Sequence, residues 1–130
     1  MFATIWTKLA TIVWTVVTNT YNYGLKLATT WYPFATVTPI NSTETTFQSN
    51  SDQMEIGYQI EIFYRNDNIA TNEASIRTTV DSILALLRAD YTLTWSALSG
   101  RREIEWGYSS DEQPVRIAII KWFYLVCITI

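Results

Sequence analysis

The most apolar part of the chain runs from Val115 to Ile130 and predicts a long strand. Side chains of a strand alternate between its two faces. One face would carry Val115, Ile117, Ile119, Phe123, Leu125 and Cys127, and the other Ala118, Ile120, Trp122, Tyr124, Val126, Ile128 and Ile130. A single helix layer covers only one face, so we expect this strand to be central and buried between two helices, or to contact another subunit.

Two segments show helical periodicity. In the first, Thr4, Thr7, Lys8, Thr11, Thr15 and Thr18 fall on one face, opposite Ile5, Leu9, Ile12, Val13, Val16 and Val17. The second is predicted from Asn72 to Arg88, capped by Thr71 or Asn72, with an apolar side of Ile76, Val80, Ile83, Leu84 and Leu87. Glu73 is expected in its first turn, four residues before Arg77.

Shorter patterns predict the remaining strands. Pro33 and Pro39 bracket an extended segment, residues 34–38, which suits an edge strand. Residues 41–53 are polar and predict a long hairpin arm or loop, whereas residues 54–64 alternate as a half-buried strand. Residues 91–98 and 101–108 predict two strands joined by a turn at Ser99-Gly100.

The order of these elements is helix, strand, arm, strand, helix and three strands. It predicts a single α+β domain over residues 1–130, with a mixed or antiparallel sheet packed by the N-terminal helix and the central helix, and an extended polar hairpin arm.

Composition narrows the class of protein. The chain has 130 residues, is 48% hydrophobic and carries a net charge of -3, so it predicts a folded domain without the basic surface that grips nucleic acid. Cys127 is the one cysteine, which excludes an internal disulfide and favours a buried thiol. The apolar N-terminal stretch contains Lys8 and repeated threonines, which indicates a soluble helix and not a membrane span.

Candidate chemistry is sparse. The chain has no histidine, and its glycines form no phosphate-binding motif, so we expect no catalytic residue, metal or cofactor. The one alternative pair is Glu103 and Glu105, which project from one side of a strand about 6.5 Å apart and could flank a glycosidic bond, with Trp95 and Trp106 as stacking surfaces.

That alternative is a carbohydrate-binding module or small glycosidase. The ordinary interpretation of both glutamates is a solvated strand face beside Arg101 and Arg102. A small barrel holding an apolar ligand is a third possibility, suggested by the aromatic-rich strands.

The segment Tyr32-Pro-Phe-Ala-Thr-Val-Thr-Pro39, followed by a polar arm, an alternating strand and an Asn-rich turn into a helix, resembles the tail terminator proteins of long-tailed bacteriophages. The closing Trp106-Gly-Tyr and Pro114-Val-Arg-Ile, ahead of a long last strand, extend the resemblance over most of the chain.

The resemblance implies a non-enzymatic virion protein at the head-to-tail interface, assembled in the host cytoplasm. It would form a homohexamer ring that caps the tail tube, stops tube polymerisation and binds the neck, with tail tube and head-completion proteins as partners. DNA would pass through without specific binding, and no membrane is involved. Subunit contacts are expected from the arm and the proline-bracketed segment, at Tyr32, Phe34, Thr43, Thr45, Phe47 and Ser49. An acidic lumen would carry Glu55, Glu61, Glu103 and Glu105.

Overall fold

The structure, a computed structural model, describes residues 2–17, 20–21, 33–48, 51–65, 69–90, 99–108 and 115–129. These residues confirm the predicted α+β fold. Its elements, in chain order, are α1 (Phe2–Val16), β1 (Thr20–Tyr21), β2 (Phe34–Gln48), β3 (Ser51–Arg65), α2 (Ile69–Ala89), β4 (Ser99–Tyr108) and β5 (Val115–Thr129).

The strands form one open sheet in the order β1-β2-β3-β5-β4. β1 is parallel to β2, and the other neighbours are antiparallel. β5 is therefore central, as the apolar pattern predicted. The described strands end in two separate edges, so this part of the chain forms an open sheet and not the barrel considered as a third possibility.

Both helices pack on the same face of the sheet, here called the helix-side face. Trp6 of α1 donates its indole N–H to the carbonyl of Val37 in β2 at 2.9 Å, and α2 packs over β3 and β5. The two helices and this face share one core, which includes Ile5, Leu9, Val13, Val37, Ile60, Ile76, Ile83, Leu87, Ile120, Trp122 and Tyr124. The expectation that β5 is buried between two helices is wrong, because both helices cover its Trp122 side.

The opposite face of the sheet, here called the outer face, carries a second and smaller cluster. Phe34, Phe63 and Ile117 are buried there, and the rings of Phe34 and Phe63 stack with centroids 4.5 Å apart. The outer side of β5 is thus anchored at one end by its own sheet neighbours.

Element boundaries differ from the sequence prediction in two places. α2 begins at Ile69, ahead of the predicted start at Asn72, so Glu73 lies beyond the first turn. Ser99 and Gly100 are not a turn; they belong to β4 and pair with Leu125 and Tyr124 of the long β5. The predicted strand from Tyr91 to Leu98 lies outside the described residues.

β2 is longer than the bracketed segment and continues through Pro39. Its register with β3 shifts between Pro39 and Ser42, as is usual where a proline interrupts a ladder. The irregular backbone lies close over Gly57 of β3. A Cβ at position 57 would stand 2.7 Å from Cγ1 of Ile40, 2.8 Å from the carbonyl oxygen of Asn41 and 3.0 Å from Cδ1 of Phe123.

Candidate assembly surfaces

The strand register brings the four predicted lumen glutamates together on the outer face. Glu61 of β3 and Glu105 of β4 pair with Ile119 of β5 from its two sides. Glu55 pairs with Leu125, and Glu103 pairs with Lys121. Directly paired residues project from the same side of a sheet, so all four carboxylates share one surface.

Two cations partly neutralise these carboxylates. Arg101 forms ion pairs with Glu55 at 2.9 Å and with Glu103 at 3.2 Å, and its guanidinium lies 4.1 Å from the ring centroid of Phe123. Lys121 pairs with Glu105 at 3.1 Å. Among the described side chains of this face, four carboxylates stand against two cations, and the pairing of Arg65 with Val115 adds a third basic position at the end of β3. Because the ion pairs are solvent-exposed, they add little stability.

Apolar side chains of β5 stand between the charges. Ile119, Phe123 and Leu125 are half-buried on this face, so a solvated hydrophobic stripe runs through the acidic surface. Cys127 follows in the same row and is exposed. The expectation of a buried thiol is wrong, because neither helix covers this side of β5.

The sheet continues past the helix layer. The last buried residues of β3 and β5 in this direction are Ile56 and Tyr124, and Met54 and Val126 beyond them are only partly buried. Residues 43–48, 51–54 and 125–129 form this sheet extension, in which β2, β3 and β5 still pair. The predicted polar arm is therefore a paired hairpin braced by the end of β5.

The predicted contact residues fall into three groups. Thr43 is exposed on the extension, whereas Phe34 is 4% exposed and packs against Phe63, so its side chain offers little surface to a second copy. The backbone of Thr45 and Phe47 lies in β2, but their side chains, together with Tyr32 and Ser49, lie outside the described residues.

Two carboxyl groups of the extension crowd each other on the helix-side face. A side-chain hydrogen bond with Asp52, burial and the charge of Asp52 all raise the pKa of Glu44. The Oδ1 atom of Asp52 is buried without a hydrogen-bond partner. Within the described residues neither carboxyl forms an ion pair, and Glu44 is exposed.

No described element covers the helix-side face of β4. Ile104, Trp106 and Tyr108 alternate along it and are 38%, 44% and 53% exposed. Arg102 continues this row, lies 5.4 Å from the ring centroid of Trp122 and is exposed. Among the described residues it has no carboxylate partner. We call these four residues the β4 stripe.

One end of the β4 stripe is tied to α2 by a contact that sequence reasoning missed. Arg116 of β5 donates to both carboxylate oxygens of Glu73, at 2.8 and 3.0 Å, and to the carbonyl of Gly107 at 3.1 Å. Its guanidinium lies 4.7 Å from the ring centroid of Tyr108. The Arg116 hydrogen bond is the main reason that the pKa of Glu73 is lowered. The predicted pair of Glu73 and Arg77 is confirmed at 3.0 Å.

The geometry around Glu103 and Glu105 gives the glycosidase alternative no support. Both carboxylates are ion-paired and about half exposed, at 51% and 54%. Trp106 projects from the opposite face of β4, so it cannot stack on a sugar held between them; Trp95 lies outside the described residues. The described residues contain no cluster of acidic or cysteine side chains that could hold a metal ion.

Comparison of the chain with models of known protein families and with curated proteins gives no match. None of the described helices is both long and apolar enough to span a membrane.

Proposed function

We propose that the protein is a virion assembly protein that forms a ring at the end of a phage tail tube, stops its polymerisation and offers a surface to the neck of the capsid. The resemblance to tail terminators supplies this hypothesis. The uncovered outer face is the structural observation that supports it best, because it combines four glutamates with half-buried apolar residues of β5.

An acidic outer face suits the wall of a passage for DNA. Phosphate groups are repelled by carboxylates, so double-stranded DNA in such a bore would find no surface on which to stick. Arg101 and Lys121 on this face are already engaged by glutamates, which limits their contact with phosphate. On this proposal the outer face lines the bore and the helices lie outside.

The sheet extension suits contact with a second protein ring. It projects beyond the helix layer and presents exposed residues, Thr43 and Glu44, with exposed Asn41 and Ser42 directly before them in β2. Main-chain pairing with β5 holds it in shape before any partner arrives. Such a preformed projection lowers the entropy cost of docking, which makes it a natural contact for the tail tube or the neck.

The first test is mass measurement of the purified protein under native conditions, alone and mixed with isolated tail-tube ends. The proposal expects a closed ring of copies on the tube end, and electron micrographs of capped tubes that no longer elongate when tube subunits are added. A protein that stays monomeric in both samples, while added tube subunits still extend the tubes, would contradict the proposal.

A further inference from the structure

The described sheet ends in two long strand edges with no neighbour. β4 pairs with β5 alone. β2 is joined on its outer side by β1 at Ala35 and Thr36 only, so residues 38–48 carry no strand beyond them among the described elements. Unpaired edges present rows of N–H and C=O groups that readily pair with another chain.

The directions of these two edges fit one another. β4 is antiparallel to β5, β5 to β3 and β3 to β2, so β4 and β2 run in opposite directions. Rotation about a ring axis keeps the direction of a strand along that axis. β4 of one copy therefore meets β2 of the next as an antiparallel pair, and the ten-residue β4 fits within the free part of β2.

Charge also differs between the two edges. The β4 edge carries Arg102, which has no described carboxylate partner. The β2 edge carries Glu44, and Asp52, with which Glu44 shares a side-chain hydrogen bond, lies on the adjacent strand β3. All three side chains project from the helix-side face. Arg102 pairs with Trp122 and Asp52 pairs with Ile128, both on the helix-side face of β5. Glu44 pairs with Met54, which lies on the same face of β3. A sheet that continues from copy to copy keeps these groups on one side.

The helix layer is complementary as well. α1 overlies the β2 edge, where Trp6 bonds the Val37 carbonyl, whereas Ile104, Trp106 and Tyr108 at the β4 edge lie bare. Joining the edges brings α1 of one copy beside the bare β4 stripe of its neighbour. The exposed apolar area of the stripe would then leave water.

We infer that the free edge of β2 in one copy adds to β4 of the next copy, with Arg102 seated against Glu44 and Asp52 across the joint. This inference rests on the proposed ring function and names the two different patches that a head-to-tail ring contact requires.

The joint implies a defined stagger. Within one copy, Arg102 pairs with Trp122 of β5. Glu44 pairs with Met54 of β3, which in turn pairs with Val126 of β5. Opposing Arg102 and Glu44 therefore shifts neighbouring copies by four positions of β5, about 13 Å. A shift by an even number of residues keeps each side chain on the same face of the sheet. A stagger of this kind is also what a closed sheet requires, because its strands must be tilted. The shift also keeps most of β4 clear of the part of β2 that β1 occupies.

A cysteine pair tests the joint directly. Glu44→Cys with Arg102→Cys, in a Cys127→Ser background, should give covalent oligomers up to the ring size after oxidation with diamide. A bond within one chain is excluded, because β2 and β4 are three strand spacings apart, roughly 14 Å, beyond the reach of a disulfide. Each single cysteine variant can reach at most a dimer. The control pair Asp81→Cys with Arg102→Cys, whose first thiol lies on the exposed side of α2 away from the joint, should stay mostly monomeric.

Charge reversal gives an independent readout. Arg102→Glu and Glu44→Arg should each reduce the ring population about tenfold at a fixed protein concentration, because like charges would then face each other, and the double variant should recover it. Arg88→Glu, an exposed charge reversal on α2, should leave the ring intact. All variants should keep the melting midpoint of the monomer.

The two ideas fail in different ways. If the parent forms rings but the cysteine pair gives only dimers, or the reversals leave the ring population unchanged, the joint is wrong and the proposed function stands. If the parent forms no ring even on tube ends, the proposed function fails and the joint fails with it.

Discussion

Besides Oδ1 of Asp52, three buried side-chain polar atoms of the described sheet lack a hydrogen-bond partner. These are the indole N–H of Trp122 and the hydroxyl groups of Tyr124 and Thr36. An unsatisfied buried group costs about 1–3 kcal/mol. Burial, with a smaller effect of Asp90, raises the pKa of Tyr124, so its hydroxyl keeps a proton for which it finds no acceptor.

Removing that hydroxyl should therefore do no harm. We expect Tyr124→Phe to leave the free energy of unfolding unchanged or to raise it by about 1 kcal/mol. Tyr64→Phe is the matched control, since the Tyr64 hydroxyl lies 2.6 Å from Oγ1 of Thr79, and it should lose about 1 kcal/mol. Urea denaturation of the three proteins measures both changes. Equal losses in the two variants would show that Tyr124 has a partner after all.

The Glu73 carboxylate should make stability depend on pH. Its pKa is lowered, chiefly by the Arg116 hydrogen bond, from an ordinary value of 4.5. Its stabilising contribution is complete above that ordinary value and is lost as the pH falls through the lower pKa of the folded state.

Glu73→Gln should accordingly lower the melting midpoint at neutral pH, and the gap to the parent should close as the pH drops below the ordinary value of 4.5. Asp81→Asn removes the same charge from an exposed position on α2 with no described ion pair, and it should have little effect at any pH. A gap for Glu73→Gln that is constant across the acid range would argue against the Arg116 contact as its source.

At the scale of elements, periodicity located α1, β3 and most of α2, because each has one strongly apolar side, and β5 was located by its long run of apolar residues. It could not place the start of α2 or extend β4 through Ser99 and Gly100, since both depend on tertiary partners: the pairing of β4 with the far end of β5 is a long-range effect. It also could not decide which side of β5 the helices cover, because both sides are apolar.

The candidate surfaces were predictable in part. Alternation within β3 and β4 groups Glu55 with Glu61, and Glu103 with Glu105, but only the register through β5 unites the two pairs on one face. The contact of Arg116 with Glu73 joins residues far apart in sequence and follows no local spacing. The isolation of Arg102 and the crowding of Glu44 become visible only when their neighbours are known.

The irregular backbone of β2 explains why position 57 is a glycine. It also predicts that alanine has a different effect on stability at Gly57 than at Gly107. Gly57→Ala should cost about 1–3 kcal/mol, because the new methyl group would collide with the backbone oxygen of Asn41 and with Ile40. Gly107→Ala in β4 meets nothing within 4 Å and should be neutral or stabilise by about 0.4–1 kcal/mol. Thermal unfolding of both variants checks the contrast; similar melting points would mean that the β2 backbone yields.

For the whole molecule, the proposed function separates two surfaces. On that proposal, the acidic outer face would face DNA, while the strand edges and the extension would contact protein. A charge on the outer face is repeated once per copy around a ring, so a single substitution there has a multiplied effect on the bore.

Glu61→Lys should therefore leave ring formation unchanged but create affinity for double-stranded DNA that weakens steeply as salt is added. Glu61 has no ion pair among the described residues, so the substitution breaks none. Asp81→Lys makes the same charge change on α2 and should not bind DNA. A gel-shift titration at several salt concentrations compares them, and equal binding by both variants would mean that the outer face does not line the bore.

The sheet extension lies beyond the last fully buried residues, Ile56 and Tyr124, so the fold tolerates growth or shortening there without opening its core. Every two residues added to each strand raise the projection by about 6.6–6.8 Å and return the same side chains to the same face. In the proposed ring, the height of the extension could thus be matched to neighbouring proteins in discrete steps, independently of the packing that keeps each subunit folded.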